Sequence, residues 1–189
     1  MLELLCSRFG LLLVADPRYD DGAGDFWRAV AFGRGPGADI ARFGRHVAAC
    51  VLARLLVLEK ASACGWTPAQ FLNIQLFDHG LFRKIQLRLE TASFADLDEA
   101  VVELLSRLNV TGLPSLPIIM DEAQVLVPDT PSGESLFKVA TVTMAEYTTA
   151  CVAPVVLIVS GTSIALKDVE SPLASGLLKR DQSLLTMTP

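Results

Sequence analysis

The sequence is short of charge, of histidine and of long apolar runs. Charged residues fill 20% of the 189 positions, 16 Lys and Arg against 21 Asp and Glu, for a net charge of −5. No global basic field exists, so nothing in the composition draws the chain to nucleic acid or to an acidic membrane surface. His46 and His79 are far apart, and Cys6, Cys50, Cys64 and Cys151 form no C-x-x-C pair. Zinc-ligand spacing is therefore lacking, and the cysteines read as buried free thiols. Val47 to Leu58 is broken by Arg54, and Val152 to Val159 is shorter still. Both fall short of the ~20 residues a membrane span needs. The amino terminus has no basic segment ahead of its first apolar cluster, unlike a signal peptide, so the chain reads as intracellular, in cytoplasm or nucleus. It has no internal repeat and no low-complexity tract.

What is present is apolar. Hydrophobic residues make up 51% of the chain, which excludes disorder as the main state and calls for elements buried on both faces. Three apolar runs read as parallel strands: Leu11–Ala15, stopped by Asp16-Pro17; Leu116–Met120, followed by Asp121-Glu122; and Val155–Ser160. Gly10 stands where a preceding helix over residues 1–9 would close in a left-handed conformation. Residues 17–37 read as loop around a short element at Phe26–Phe32, with Gly33, Gly35 and Gly37 as plain loop glycines and Asp20-Asp21 as a solvated turn. Helices are expected over Asp39–Glu59, from Thr67, over Asp78–Glu90, from Ser93, over Glu134–Ala150, and at Pro172–Leu178. Thr67-Pro68-Ala69-Gln70 is a capping-box start. Arg42, Arg45 and Arg54 read as a solvated helix face, Trp27 and Trp66 as partly buried anchors, and the two histidines as surface or core polar residues.

The residues that carry chemistry follow the second strand. Four apolar positions running into Asp121-Glu122 form the pattern of a Walker B strand. A buried strand holds an Asp at its carboxyl end, where it binds Mg²⁺ directly or through water, and the next Glu activates the water that attacks the γ-phosphate. One helix later, a strand ends in Ser160-Gly161-Thr162-Ser163, where Ser160 or Thr162 takes the place of a polar sensor residue.

The stretches Ile118-Ile119-Met120-Asp121-Glu122-Ala123-Gln124 and Val155–Ser163 resemble the P-loop NTPase domain of fungal and oomycete Crinkler-type proteins, part of the wider AAA-like ATPases. That family is similar in having D-E-A-Q after an apolar strand and a G-T-containing turn, often G-T-G-L-S, after the next. Here Gly161-Thr162-Ser163-Ile164 keeps part of the turn, and Leu2–Gly10 is similar to the helix after Walker A. The resemblance implies a three-layer α/β/α fold with a parallel sheet and a helix-rich insertion. Residues 1–180 would be an incomplete P-loop NTPase-like domain and 181–189 a tail. It also implies ATP with Mg²⁺ at Asp121, Glu122 as general base, and Ser160 or Thr162 at the γ-phosphate; Lys179 and Arg180 could approach the nucleotide but read rather as surface charges. The family's strand order, 5-1-4-3-2, would put Leu116–Met120 between Leu11–Ala15 and Val155–Ser160.

The sequence departs from the family at one point. It contains no G-x-x-x-x-G-K-[ST] and no Gly-Lys dipeptide, so the Lys and Ser/Thr of the phosphate loop are lacking. On this resemblance Met1 falls just after that loop, and the first strand is missing with it. The sheet would keep an apolar edge at Val155–Val159, open to self-association or to another chain. Two functions follow. One is an NTPase core, with ATP binding and hydrolysis expected of the complete site and the missing loop counting against them in this chain. The other is a non-catalytic interaction module that keeps the fold and binds a partner through the edge.

Overall fold

The computed structural model describes residues 2–16, 25–34, 38–78, 80–110, 115–126, 135–150 and 155–161. Its elements are α1 (Leu2–Ser7), β1 (Leu11–Val14), α2 (Asp25–Arg34), α3 (Ile40–Ala63), α4 (Pro68–Phe77), α5 (Leu81–Leu89), α6 (Phe94–Val110), β2 (Leu116–Asp121), α7 (Leu136–Ala150) and β3 (Val155–Val159). The fold is mixed α/β, mostly helical, around a three-stranded parallel sheet in the order β1-β2-β3. Leu11 pairs with Ile118 and Val14 with Asp121, while Leu116 pairs with Val155. The middle place of Leu116–Met120 is as expected.

Alternation along the strands explains why the runs are apolar throughout. Leu11, Leu13, Ile118, Met120 and Val155 face the main core, with Val47, Val51 and Leu55 of α3, Leu104 of α6 and Phe137 of α7. Leu12, Val14 and Ile119 face the other way, onto Leu5 of α1 and Leu72 of α4, with Leu76 and Ile158 packed at the margin. Helices thus lie on both faces, and among the described residues the second face carries only α1 and α4.

Local chemistry sets several boundaries as read from sequence. The Thr67 amide donates to Gln70 Oε1 at 2.8 Å and the Gln70 amide to Thr67 Oγ1 at 3.3 Å, a complete capping box. Ser93 accepts from the Asp96 amide at 3.2 Å and opens α6. The helix expected from Asp78 begins at Leu81, whose amide donates to Asp78 Oδ1 at 3.0 Å.

Other expectations are overturned. Gly33 is inside α2, and a Cβ there would lie 2.3 Å from Leu136 Cδ2. Gly10 is not left-handed, since Gly65 is the glycine with positive φ among the described residues. What Gly10 supplies is space: an added Cβ would lie 2.4 Å from Leu5 Cδ2 and 2.8 Å from the Pro117 carbonyl oxygen. Cys6, Cys64 and Trp66 are exposed, while Cys50 is buried and its Sγ accepts from Gln86 Nε2 at 3.1 Å. Asp20, Asp21, Gly35, Gly37, His79, Cys151, Thr162, Ser163 and the 172–189 tail lie outside the described residues.

The largest correction is Arg54, which is fully buried rather than solvated. Its Nη1 and Nη2 donate to Asp25 Oδ2 and Oδ1 at 2.7 and 2.6 Å, and its Nε donates to the Leu12 carbonyl at 2.6 Å. Burial alone would lower the guanidinium's basicity; Asp25 holds it above its ordinary value. Beside it, the Gln75 amide accepts from the Leu12 N–H at 2.9 Å and donates to the Gly10 carbonyl at 3.0 Å. One side-chain amide thereby makes the two bonds that a parallel strand would make opposite Leu11. On the outer edge of β1 the Gly10 carbonyl and both main-chain groups of Leu12 are thereby satisfied.

The other edge differs. Ser160 directs its N–H to the Met120 carbonyl and its carbonyl to the Ala123 N–H, both at 2.9 Å. By alternation Val156 and Ile158 also face β2, and the main-chain groups of Val155, Leu157 and Val159 point outward. No described residue hydrogen-bonds to those outward groups.

Candidate functional site

Parallel strands bring their carboxyl ends to one side of the sheet, and here three of them end together. The ladder extends past β1 through the Ala15 N–H, which donates to the Asp121 carbonyl at 3.0 Å. On the other side the Ser160 hydroxyl donates to Asp121 Oδ1. The Glu122 amide donates to the same oxygen at 3.0 Å. Asp121 is thus oriented through Oδ1 by two donors, one from its own turn and one from the neighbouring strand. No described residue donates to Oδ2.

Glu122 turns the chain out of the sheet with φ 55°, the single non-glycine residue with positive φ among those described. An L-residue pays roughly 1–2 kcal/mol for that conformation. The 3₁₀ turn Ala123–Leu126 follows directly, and its buried Ala123 and Leu126 anchor the corner from below. The Gln124 side-chain amide donates to Glu122 Oε2, so the carboxylate is held by its own turn. Asp121, Glu122 and Ser160 are all half-buried, at the rim of the sheet rather than in the core.

Of the four residues singled out by sequence, the structure brings Asp121 and Ser160 into contact and places Glu122 beside them; Thr162 lies outside the described residues. Two further residues carry weight at this corner. Gln124, in D-E-A-Q, holds Glu122, and the two-residue spacing was its signal. Asp16 follows β1 and is 4% exposed at the same end of the sheet; in sequence it reads as a strand terminator. Among the described residues no group of three or more His, Cys, Asp or Glu is arranged to hold a metal ion. The hydroxyl and carboxylate present are hard oxygen donors, suited to Mg²⁺ held partly through water rather than to a closed protein cage. No described helix is long and apolar enough to cross a membrane. No family model matches the chain, and neither a curated protein nor a solved structure matches it.

Proposed function

We propose that the carboxyl ends of β2 and β3 form the metal- and water-handling half of an ATP-hydrolysing site in a P-loop NTPase-like, AAA-like domain similar to that of Crinkler-type proteins. The observation that carries the reading is the Ser160 hydroxyl on Asp121 Oδ1, across two adjacent parallel strands joined by one helix. Asp121 offers Oδ2 to Mg²⁺ or to a water bound to it, and Mg²⁺ would supply charge neutralisation at the phosphates. Glu122 takes the proton of the attacking water, and Gln124 aims its carboxylate. Ser160, with Thr162 beyond it, is the group that answers to the γ-phosphate.

The arrangement of the helices adds support. α6 and α7, which lead directly into β2 and β3, pack with α3 on one face, α4 of the first connection crosses to the other, and α1 enters β1 on that second face. Crossovers of one hand that move across a sheet in one direction enter each next strand from the same face, and a helix that enters its strand from the opposite face belongs to a crossover moving back. A parallel strand ahead of α1 would therefore lie beyond β3, on the open edge, with its carboxyl end beside Ser160. A phosphate-binding loop at that end would complete the site. Residues 1–189 hold no such loop in the G-x-x-x-x-G-K-[ST] form.

The test is Mg²⁺-dependent phosphate release by the longest chain read from the natural frame. Turnover is expected, with Glu122→Gln lowering it at least ~100-fold while ATP still binds, as expected for loss of a general base. Turnover unaffected by Glu122→Gln and by Asp121→Asn would overturn the reading. The open β3 edge favours a second reading, a non-catalytic interaction module; a natural chain that starts at Met1 and neither binds nor hydrolyses ATP would favour it.

A further inference from the structure

We propose that two copies of the 189-residue chain join through their β3 edges, antiparallel about a twofold axis at Leu157, into one six-stranded sheet. Three observations lead there. The outward main-chain groups belong to Val155, Leu157 and Val159, a set symmetric about its centre, so each donor and acceptor of one copy meets its counterpart in the other. Val155 then faces Val159 of the second copy, Leu157 faces Leu157, and Val156 faces Ile158. Charge is the second point. An isologous contact sets a surface against itself, so any charge near the axis meets its like; residues 155–161 carry none, and no proline or lysine blunts β3. Val156, 37% exposed on the thinly covered face, would be buried by the contact.

The third observation decides where association stops. A sheet with two open edges adds copies without limit, whereas here Gln75 and Arg54 already occupy the outward groups of Gly10 and Leu12 along most of β1. With one fully open edge per copy among the described residues, pairing consumes both and closes at two. The partner is thus a second copy of this chain, and the product is a finite dimer rather than a fibre. The inference does not rest on the nucleotide reading, since it needs only the two edges. The same edge cannot hold a fourth strand and a second copy at once, so a longer chain that supplies the strand would be released from the dimer.

Sedimentation velocity over a wide concentration range tests it. The expected result is a monomer–dimer equilibrium with nothing larger. Leu157→Pro should abolish the dimer yet leave thermal unfolding cooperative, because the Leu157 N–H points away from β2; Val156→Lys should abolish it independently, by placing charges near the axis. In the unaltered chain, amide exchange at Leu157 should slow as concentration rises. A monomer throughout, with an edge covered from within or left bare, overturns the proposal. So do assemblies larger than a dimer, a dimer that survives both substitutions, or a Leu157 amide indifferent to concentration.

Discussion

Arg54 and Asp25 carry opposite charges into a core that would otherwise exclude both. The pair is bidentate, both partners are at most 4% exposed, and the spare Nε hydrogen goes to the Leu12 carbonyl. Removing one partner strands the other, so Arg54→Ala should destabilise the fold by about 3–5 kcal/mol in urea unfolding, whereas Arg54→Met with Asp25→Leu should cost less than the sum of the two single changes. An additive result would show that the two charges do not act as a pair. None of this is legible locally. Arg54 sits in an apolar run with its counter-ion 29 positions away, and nothing in the helical period distinguishes a buried arginine from a solvated one. His46 belongs to the same region. It is buried, its Nδ1 lies 3.2 Å from Glu90 Oε1, and its ring meets Phe32 edge-on at 5.1 Å between centroids. Burial, assisted by Arg42 and opposed by Asp25, pushes its pKa down to about 4. The unfolded chain therefore takes up this proton near pH 6.5 and the folded one does so only near pH 4. Stability from this group is present at neutral pH and lost as pH falls through that window, by up to about 3 kcal/mol. Unfolding curves at pH 7 and pH 4 should show the loss, and His46→Gln should remove that part of the slope; an unchanged slope would contradict it. At the candidate site, Glu122→Gly should relieve the left-handed turn and leave the fold no less stable than before, with a gain of at most about 1 kcal/mol. A large loss would mean that the contact of Glu122 with Gln124 outweighs the strain.

At the scale of elements, chemistry within a few residues was readable and chemistry across the fold was not. The three strands follow from uninterrupted apolar runs, and the start of α4 follows from Thr67 and Gln70, because such signals are complete within one turn. Gln75 shows the limit. In sequence it is a polar residue in an apolar helix; in the fold it stands in for a strand, through bonds to residues more than sixty positions away. Replacing it by Leu would leave the Leu12 N–H and the Gly10 carbonyl buried without their partner. Gln75→Leu should therefore cost about 2–4 kcal/mol and, by reopening the β1 edge, turn a finite dimer into larger assemblies visible by light scattering. Gly10→Ala tests the close approach of α1 to the strands. Because the nearest atoms include the Pro117 main chain, the turn cannot yield freely, and a loss of about 1–3 kcal/mol is expected in thermal unfolding.

At the scale of the molecule, one end of the sheet gathers Asp121, Glu122, Gln124 and Ser160, and next to that end the β3 edge is unpaired among the described residues. The sequence shows Asp121-Glu122 and Ser160 as separate short patterns, each common as an ordinary strand end. Only the pairing of β2 with β3 puts the hydroxyl on the carboxylate, and only the placement of α1 on the second face says on which side a further strand would enter. The central claim is that this corner handles the metal and water of an ATP-hydrolysing site whose phosphate loop enters beside β3. It is tested most directly by reading the frame upstream of Met1 and assaying the protein it encodes. The account predicts a short apolar strand ending in G-x-x-x-x-G-K-[ST] and Mg²⁺-dependent ATP turnover that Glu122→Gln lowers at least ~100-fold. A protein that begins at Met1 and is inert toward Mg²⁺ and ATP would contradict it.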